Sequence, residues 1–183
     1  MQKADLLTIL INFSSLVDPI LTLLVVISTI VGVLMVGQAL MNAYVLSMDN
    51  GAQWGSTATI PGIISGLIIG GILVTPILMV QIFGNTLFMV SVNGSGMLYQ
   101  GVGMTDTQKQ AVAALFGLFS VAGFIAFIRG WVVLNKHFNG VIKDGVGMGI
   151  TFIVGGTGLI YLDVIVDLIQ SKTGFDFTQV FLF

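Results

Sequence analysis

The chain has 183 residues, 56% of them hydrophobic and only 8% charged, with 6 Lys or Arg against 8 acidic residues, all Asp, and with one His and no Cys. Soluble domains carry about 25% charged residues, and a mean hydropathy of +1.06 leaves too little polar surface to cover a water-soluble globule of this size. The inventory excludes a disulfide scaffold, a Cys-based metal site and a nucleic-acid binder relying on a basic surface, and it points to a membrane protein or to an assembly drawn from the membrane.

A helix that crosses the hydrocarbon needs about 20 mostly apolar residues. Charge-free runs of 30 residues (Pro19 to Met48), 56 (Asn50 to Thr105), 19 (Gln110 to Ile128) and 18 (Gly145 to Leu162) meet or approach that length. They predict an all-α fold of four long hydrophobic helices, at about 16–47, 58–92, 109–137 and 148–171. The expected arrangement is two tandem αα-hairpins in a single membrane-derived domain, 1–183. Hairpin one covers about 16–92, a connecting loop 93–108, hairpin two about 109–171, and an apolar tail 172–183.

Punctuation along the chain fits this plan. Asp49-Asn50-Gly51 and Asn139-Gly140 are turn sequences, because Asn and Gly adopt positive φ at little cost, and each marks a hairpin tip. Pro61 suits a first helical turn and Pro76 a kink in the second helix. Asn93-Gly94-Ser95-Gly96 and Gly101-Val102-Gly103 break the connecting loop, and Thr105 to Gln108 has capping-box spacing before the third helix. At an offset of 93 residues Gly37 falls on Gly130, Asn42 on Asn135, Ile60 on Ile153 and Gly62 on Gly155, which suggests a tandem duplication with parallel repeats. Lys3 is countered by Asp5 and no Ala-x-Ala site follows at the expected distance, so an unprocessed N-terminus is expected. Lys and Arg divide three to three between the two sides, a tie for orientation; their concentration near the second tip favours cytoplasmic tips.

Small residues mark the packing faces. Gly62, Gly66 and Gly70 are spaced by four, as are Ala113 with Gly117 and Gly145 with Gly149. In lipid, close backbone approach supplies the association energy that hydrophobicity supplies in water. Such stripes predict tight helix contacts, within a hairpin or between copies. Arg129 stands at the edge of an apolar helix beside Trp131. It either snorkels to the interface with Trp131 as anchor, or joins Lys136, His137 and Lys143 in a cationic collar that meets lipid phosphates or lines an aqueous lumen. Asp163 and Asp167 share one face of the last helix. They read as a buried polar contact reached by Lys109, or as an ion pathway.

No catalytic or metal set is expected, since His137 is the single imidazole and neither Cys nor Glu is present. The glycines around Ser95 lack the strand, turn and Lys-Ser/Thr of a phosphate loop. No cofactor is expected apart from a bound phospholipid.

The stretch Gly123-Phe124-Ile125-Ala126-Phe127-Ile128-Arg129-Gly130-Trp131-Val132-Val133-Leu134, with its Gly-rich tip and Ile153-Val154-Gly155-Gly156, resembles the DotE/IcmC membrane proteins of Dot/Icm type IV secretion systems. It is also similar to their TraQ-like relatives on IncI-type conjugative plasmids. The match covers about 115–165. Where the family's first hairpin often carries an Arg-Gly step, Val36-Gly37 stands here. The resemblance implies a structural part in a DNA- or protein-transfer apparatus of the bacterial inner membrane. Its partners would be membrane lipid, copies of itself and other type IV secretion components, with transferred DNA or protein met only indirectly. By architectural analogy with conjugative pilins, the chain would polymerise into an extruded, lipid-associated pilus or conduit. A non-polymerising scaffold of the same apparatus and a small ion or solute channel are the alternatives.

Overall fold

The computed structural model describes residues 6–48, 59–88 and 106–173. Among the described residues every regular element is a helix: α1 (Leu6–Ser47), α2 (Ile60–Val74), α3 (Pro76–Phe88), α4 (Asp106–Phe138), α5 (Gly145–Ile160) and α6 (Leu162–Thr173). Over Ser15–Ser47 and Val112–Phe138, α1 and α4 are each long and apolar enough to cross a membrane. The pairs α2 with α3 and α5 with α6 qualify only if each bent pair is one span. The expected all-helical architecture is present among the described residues, with two to four stretches long and apolar enough to cross a membrane.

Four uninterrupted helices are not what forms. The first helix begins at Leu6 rather than near 16 and runs through Pro19. The second is cut at Thr75, and α3 leaves α2 at 93°. Pro76 has no N–H for the Ile72 carbonyl, and the Thr75 N–H takes that carbonyl at 3.3 Å in a tightened last turn. The fourth is cut at Tyr161, where α6 leaves α5 at 68°, and there no proline is responsible. The Tyr161 ring lies on Gly84 and 5.8 Å from the Phe88 ring, while its hydroxyl donates to the Val80 carbonyl at 3.3 Å. Packing of this corner on α3 overrides local helix preference. At about 1.5 Å per residue, α2 and α5 alone span roughly 22–24 Å, short of a hydrocarbon core of about 30 Å.

The helix ends follow their sequences. Thr59 caps α2 by accepting the Gly62 N–H at 3.2 Å, with Pro61 in the first turn as expected. Beyond α4, Gly140 takes φ 75°, and the N–H groups of Gly140 and Val141 donate to the His137 and Lys136 carbonyls, both at 2.9 Å. This Schellman closure makes Asn139-Gly140 the turn that its residues predict. The Asp49-Asn50-Gly51 tip, the 93–105 loop with Thr105, and the tail beyond Thr173 lie outside the described residues.

The most extensive contacts join α4 to α5 and α1 to α2, both antiparallel; α1 beside α4 closes the bundle. Leu73 and Phe127 are wholly buried at its centre, with Ile69, Phe124, Ile153 and Ile160 around them. Both antiparallel pairs cross on two glycines with the same geometry. A β-carbon placed on Gly32 would lie 2.7 Å from the Gly70 oxygen and 2.7 Å from the Val74 nitrogen. One on Gly123 would lie 2.6 Å from the Gly156 oxygen and 2.9 Å from the Ile160 nitrogen. Five residues beyond Gly70 and beyond Gly156 comes the break, at Thr75 and at Tyr161. In each pair a serine of the long helix donates to a carbonyl at that break: Ser28 to Leu73 at 3.0 Å and Ser120 to Ile160 at 3.3 Å. Broken helices persist at membrane depth when a neighbour satisfies the released backbone.

These contacts correct the register of 93. Gly37 is open where Gly130 is packed, and Gly62 is packed where Gly155 is open. The environments match at an offset of 91 in the long helices (Gly32 with Gly123) and of 86 in their partners (Gly70 with Gly156). Letters coincide easily in apolar sequences; a glycine facing backbone on another helix does not.

Candidate functional site

The tip of α4 and its turn into α5 carry the cationic residues. Arg129 is exposed, its guanidinium 5.0 Å from the centre of the Phe152 ring on α5, a cation–π contact. Lys136, seven residues on and so on the same face of α4, is exposed, as is Lys143 in the turn. His137 does not join them. It is half-buried, its Nδ1 donates to the Ile142 carbonyl at 2.9 Å, and a β-carbon on Gly145 would lie 2.6 Å from its own. It fastens the turn, and of the four expected collar residues only Arg129, Lys136 and Lys143 are exposed.

Arg129 lies ten residues before Asn139, about 15 Å down the helix from the tip. That depth is about half of a 30 Å hydrocarbon core if the tip marks the membrane surface. Among the described residues it makes no ion pair. The Trp131 ring packs edge-on against Phe83 (5.9 Å) and Phe127 (6.1 Å), with its indole N–H buried and, among the described residues, without a partner. Trp131, Leu134 and Phe138 form one wall of an apolar groove of about 450 Å³, faced by Ile64 and Ile68 of α2. At the groove's polar edge Ser65 donates to the Asn135 side chain at 3.4 Å, and the Asn139 amide donates to the Asn135 carbonyl at 2.7 Å. The first bond joins the start of α2 to the end of α4, and the second holds Asn139 against the last turn of α4.

Beneath the collar, the packing residues meet other helices of the same chain. A β-carbon on Gly66 would sit 2.8 Å from that of Ala39, one on Gly70 2.9 Å from the Gly32 oxygen, one on Gly149 3.1 Å from the Gly130 oxygen, and one on Gly117 3.0 Å from the Val17 side chain. Gly62 faces the Asn139 side chain, and Ala113 is half-buried. The four-residue spacing overlooks Gly32, Gly123, Gly130 and Gly156. Gly123 with Gly130, and Gly149 with Gly156, are seven apart, the repeat that keeps one seam facing a partner helix; a search at that period would have found them. Asp163 and Asp167 share a face of α6, half-buried and exposed respectively. That helix bends 68° from α5 and keeps Val164 packed against the core. Lys109 lies in the first turn of α4, its side chain outside the described set.

Outside the bundle the long helices remain apolar: Leu23, Ile30, Val33 and Leu34 on α1 are each more than half exposed, a surface suited to lipid or to other helices. No family model, characterised protein or solved structure matches the chain.

Proposed function

We propose that the chain is a structural subunit of a conjugative type IV secretion apparatus. It would consist of two tandem αα-hairpins inserted in the bacterial inner membrane, polymerising with associated phospholipid into the pilus or transfer conduit. The observation that carries this reading is the contrast between the two sides of α4. Its inner seam, Gly123 and Gly130, is consumed by contacts within the chain. Its outer side holds Arg129 in the open, without a counter-charge among the described residues. An Arg at the centre of a lipid-facing helix costs about 2.5–3.5 kcal/mol on insertion scales, a cost that a neighbouring subunit or an aqueous lumen removes. The same stretch, Gly123 to Leu134, bears the resemblance to the DotE/IcmC proteins.

Mass spectrometry of sheared surface filaments, alongside the inner-membrane fraction, tests the reading. A polymerising subunit is recovered in the filaments with phospholipid. Recovery from the inner membrane alone favours the scaffold of the same apparatus and removes the pilus.

A further inference from the structure

The two helix breaks lie at different depths. Val17 packs on Gly117 of the parallel helix α4, so Ser28, which bonds the first break, stands level with about residue 128 of α4. Ser120 of α4 bonds the second break itself. Counted from Asn139, the first break is about 17 Å below the tip and the second about 28 Å, against a hydrocarbon core of about 30 Å. Asp18, exposed on α1, stands level with about residue 118, within about 3 Å of the second break along the axis. The chemistry of the broken helices follows their depth. After the first break, α3 carries no charge and exposes Ile77, Leu78 and Ile82, as suits a helix within lipid. After the second, α6 carries Asp163, Asp167 and Lys172. At about 100° per residue, its two carboxylates lie on one side and Ile165, Leu168 and Ile169 on the other. Leu168 and Ile169 are exposed, while Val164 packs on the core.

We infer that α6 lies along the lipid–water boundary on the side opposite the tips, with Leu168 and Ile169 among the acyl chains and Asp163 and Asp167 toward headgroups and water. Three parts of the chain set the boundary at this level: the exposed Asp18 of α1, the depth of the second break, and the carboxylate side of α6. Phospholipid is the occupant, because the exposed apolar side of α6 begins where Asp18 interrupts the exposed apolar side of α1. A helix of this kind sinks its apolar side about 5–10 Å into the headgroup and acyl boundary, which places the membrane core between α6 and the tips. With two Asp against one Lys, α6 is held by its apolar side and not by attraction to anionic headgroups. The seat needs only an inserted bundle, so it stands or falls apart from the secretion reading.

The chain has no Cys, so Asp167→Cys, Leu168→Cys and Ile169→Cys, each carrying a nitroxide on the full-length chain in phosphatidylcholine bilayers, report the surroundings of α6. Oxygen concentrates among acyl chains and a nickel chelate stays in water. The ratio of oxygen to nickel collisions should be about tenfold higher at 168 and 169 than at 167. Equal ratios at the three positions overturn the seat, since α6 would then lie wholly in water or wholly in lipid. Few collisions with either reagent at 168 and 169 also overturn it, because protein, a second copy included, would then cover them. An impermeant maleimide applied to spheroplasts and to inverted vesicles checks the level. Asp18→Cys and Asp167→Cys should react in the same preparation, and Lys143→Cys in the other. Reaction of Asp167→Cys together with Lys143→Cys overturns the boundary, whatever the filaments contain.

Discussion

In the α1–α2 pair, the crossing of Gly32 on Gly70 is followed toward the tip by Ala39 on Gly66, a methyl against a backbone. In the α4–α5 pair, Gly123 on Gly156 is followed one heptad later by Gly130 on Gly149, and then by the β-carbon of His137 on Gly145. Both pairs end at a break capped by a serine. The second keeps backbone against backbone over two heptads where the first does so once, and the second alone carries cations in its long helix near the tip. The shared part is what a spanning helix with a broken partner requires. The unshared part is the longer backbone-to-backbone seam and the exposed Arg129 and Lys136 on the same helix.

The widest break in this comparison comes from filling the crossings. Leu at Gly123, Gly156, Gly32 or Gly70 drives a side chain into backbone that no rotamer change can move, and should cost about 3 kcal/mol or more. Leu at the open Gly37, Gly71 or Gly155 should cost under about 0.5 kcal/mol. Unfolding by SDS in mixed micelles, followed by far-ultraviolet circular dichroism, separates the two groups; equal losses in both would refute the crossings. Tip-ward of the crossings the pairs should diverge. Gly66→Ala meets only the Ala39 methyl, 2.8 Å away, and Ala39→Gly should rescue it. Gly149→Ala also meets the Gly130 oxygen at 3.1 Å, and shortening Leu134 should rescue it only in part.

Composition and charge-free length were enough to read the all-helical, membrane-type class, and turn chemistry was enough for Pro61 and the Asn139-Gly140 tip. Pro76 announced a kink, but a 93° corner depends on where α3 then packs. Tyr161 announced nothing, because its break is made by Gly84 and Val80, 77 and 81 positions away in sequence. The packing glycines were legible wherever spacing by four coincided with burial, as for Gly66 and Gly70. They were illegible at spacing by seven, and the repeat register failed for the same reason: a letter does not say which side of a helix has a neighbour. Arg129 was legible as an anomaly, but its lack of a counter-charge among the described residues required the bundle.

The serine caps sharpen the comparison at a smaller scale. Ser28→Ala and Ser120→Ala each leave a carbonyl at a break without its side-chain donor, at a cost of about 1 kcal/mol. Ser28 should cost more, being wholly buried with the shorter bond, 3.0 Å against 3.3 Å. Thr29, whose hydroxyl reaches the Val74 carbonyl at 3.4 Å, shares the duty at the first break; Ser28→Ala with Thr29→Val should therefore lose more than Ser28→Ala alone. The same micellar unfolding measures all of these, and a larger loss for Ser120→Ala would reverse the ranking.

The smallest expected effect belongs to His137. Replacing it by Ala keeps the β-carbon that packs on Gly145 and removes the Nδ1 bond to the Ile142 carbonyl and the edge contact with the Phe138 ring at 5.5 Å. The turn retains its Gly140 and Val141 closures and the Asn139 amide on the Asn135 carbonyl, so stability should fall by about 0.5–1 kcal/mol. Local opening should rise more visibly, as faster hydrogen exchange at the Gly140 and Val141 amides, because exchange follows the weakest local unit rather than the whole bundle. Asn139→Ala, which removes two bonds to Asn135 and the side chain that packs on Gly62, should exceed it on both measures. If His137→Ala instead abolished self-assembly with the turn's exchange unchanged, the imidazole would belong with Arg129, Lys136 and Lys143 as a contact group, and the collar would again be one of four.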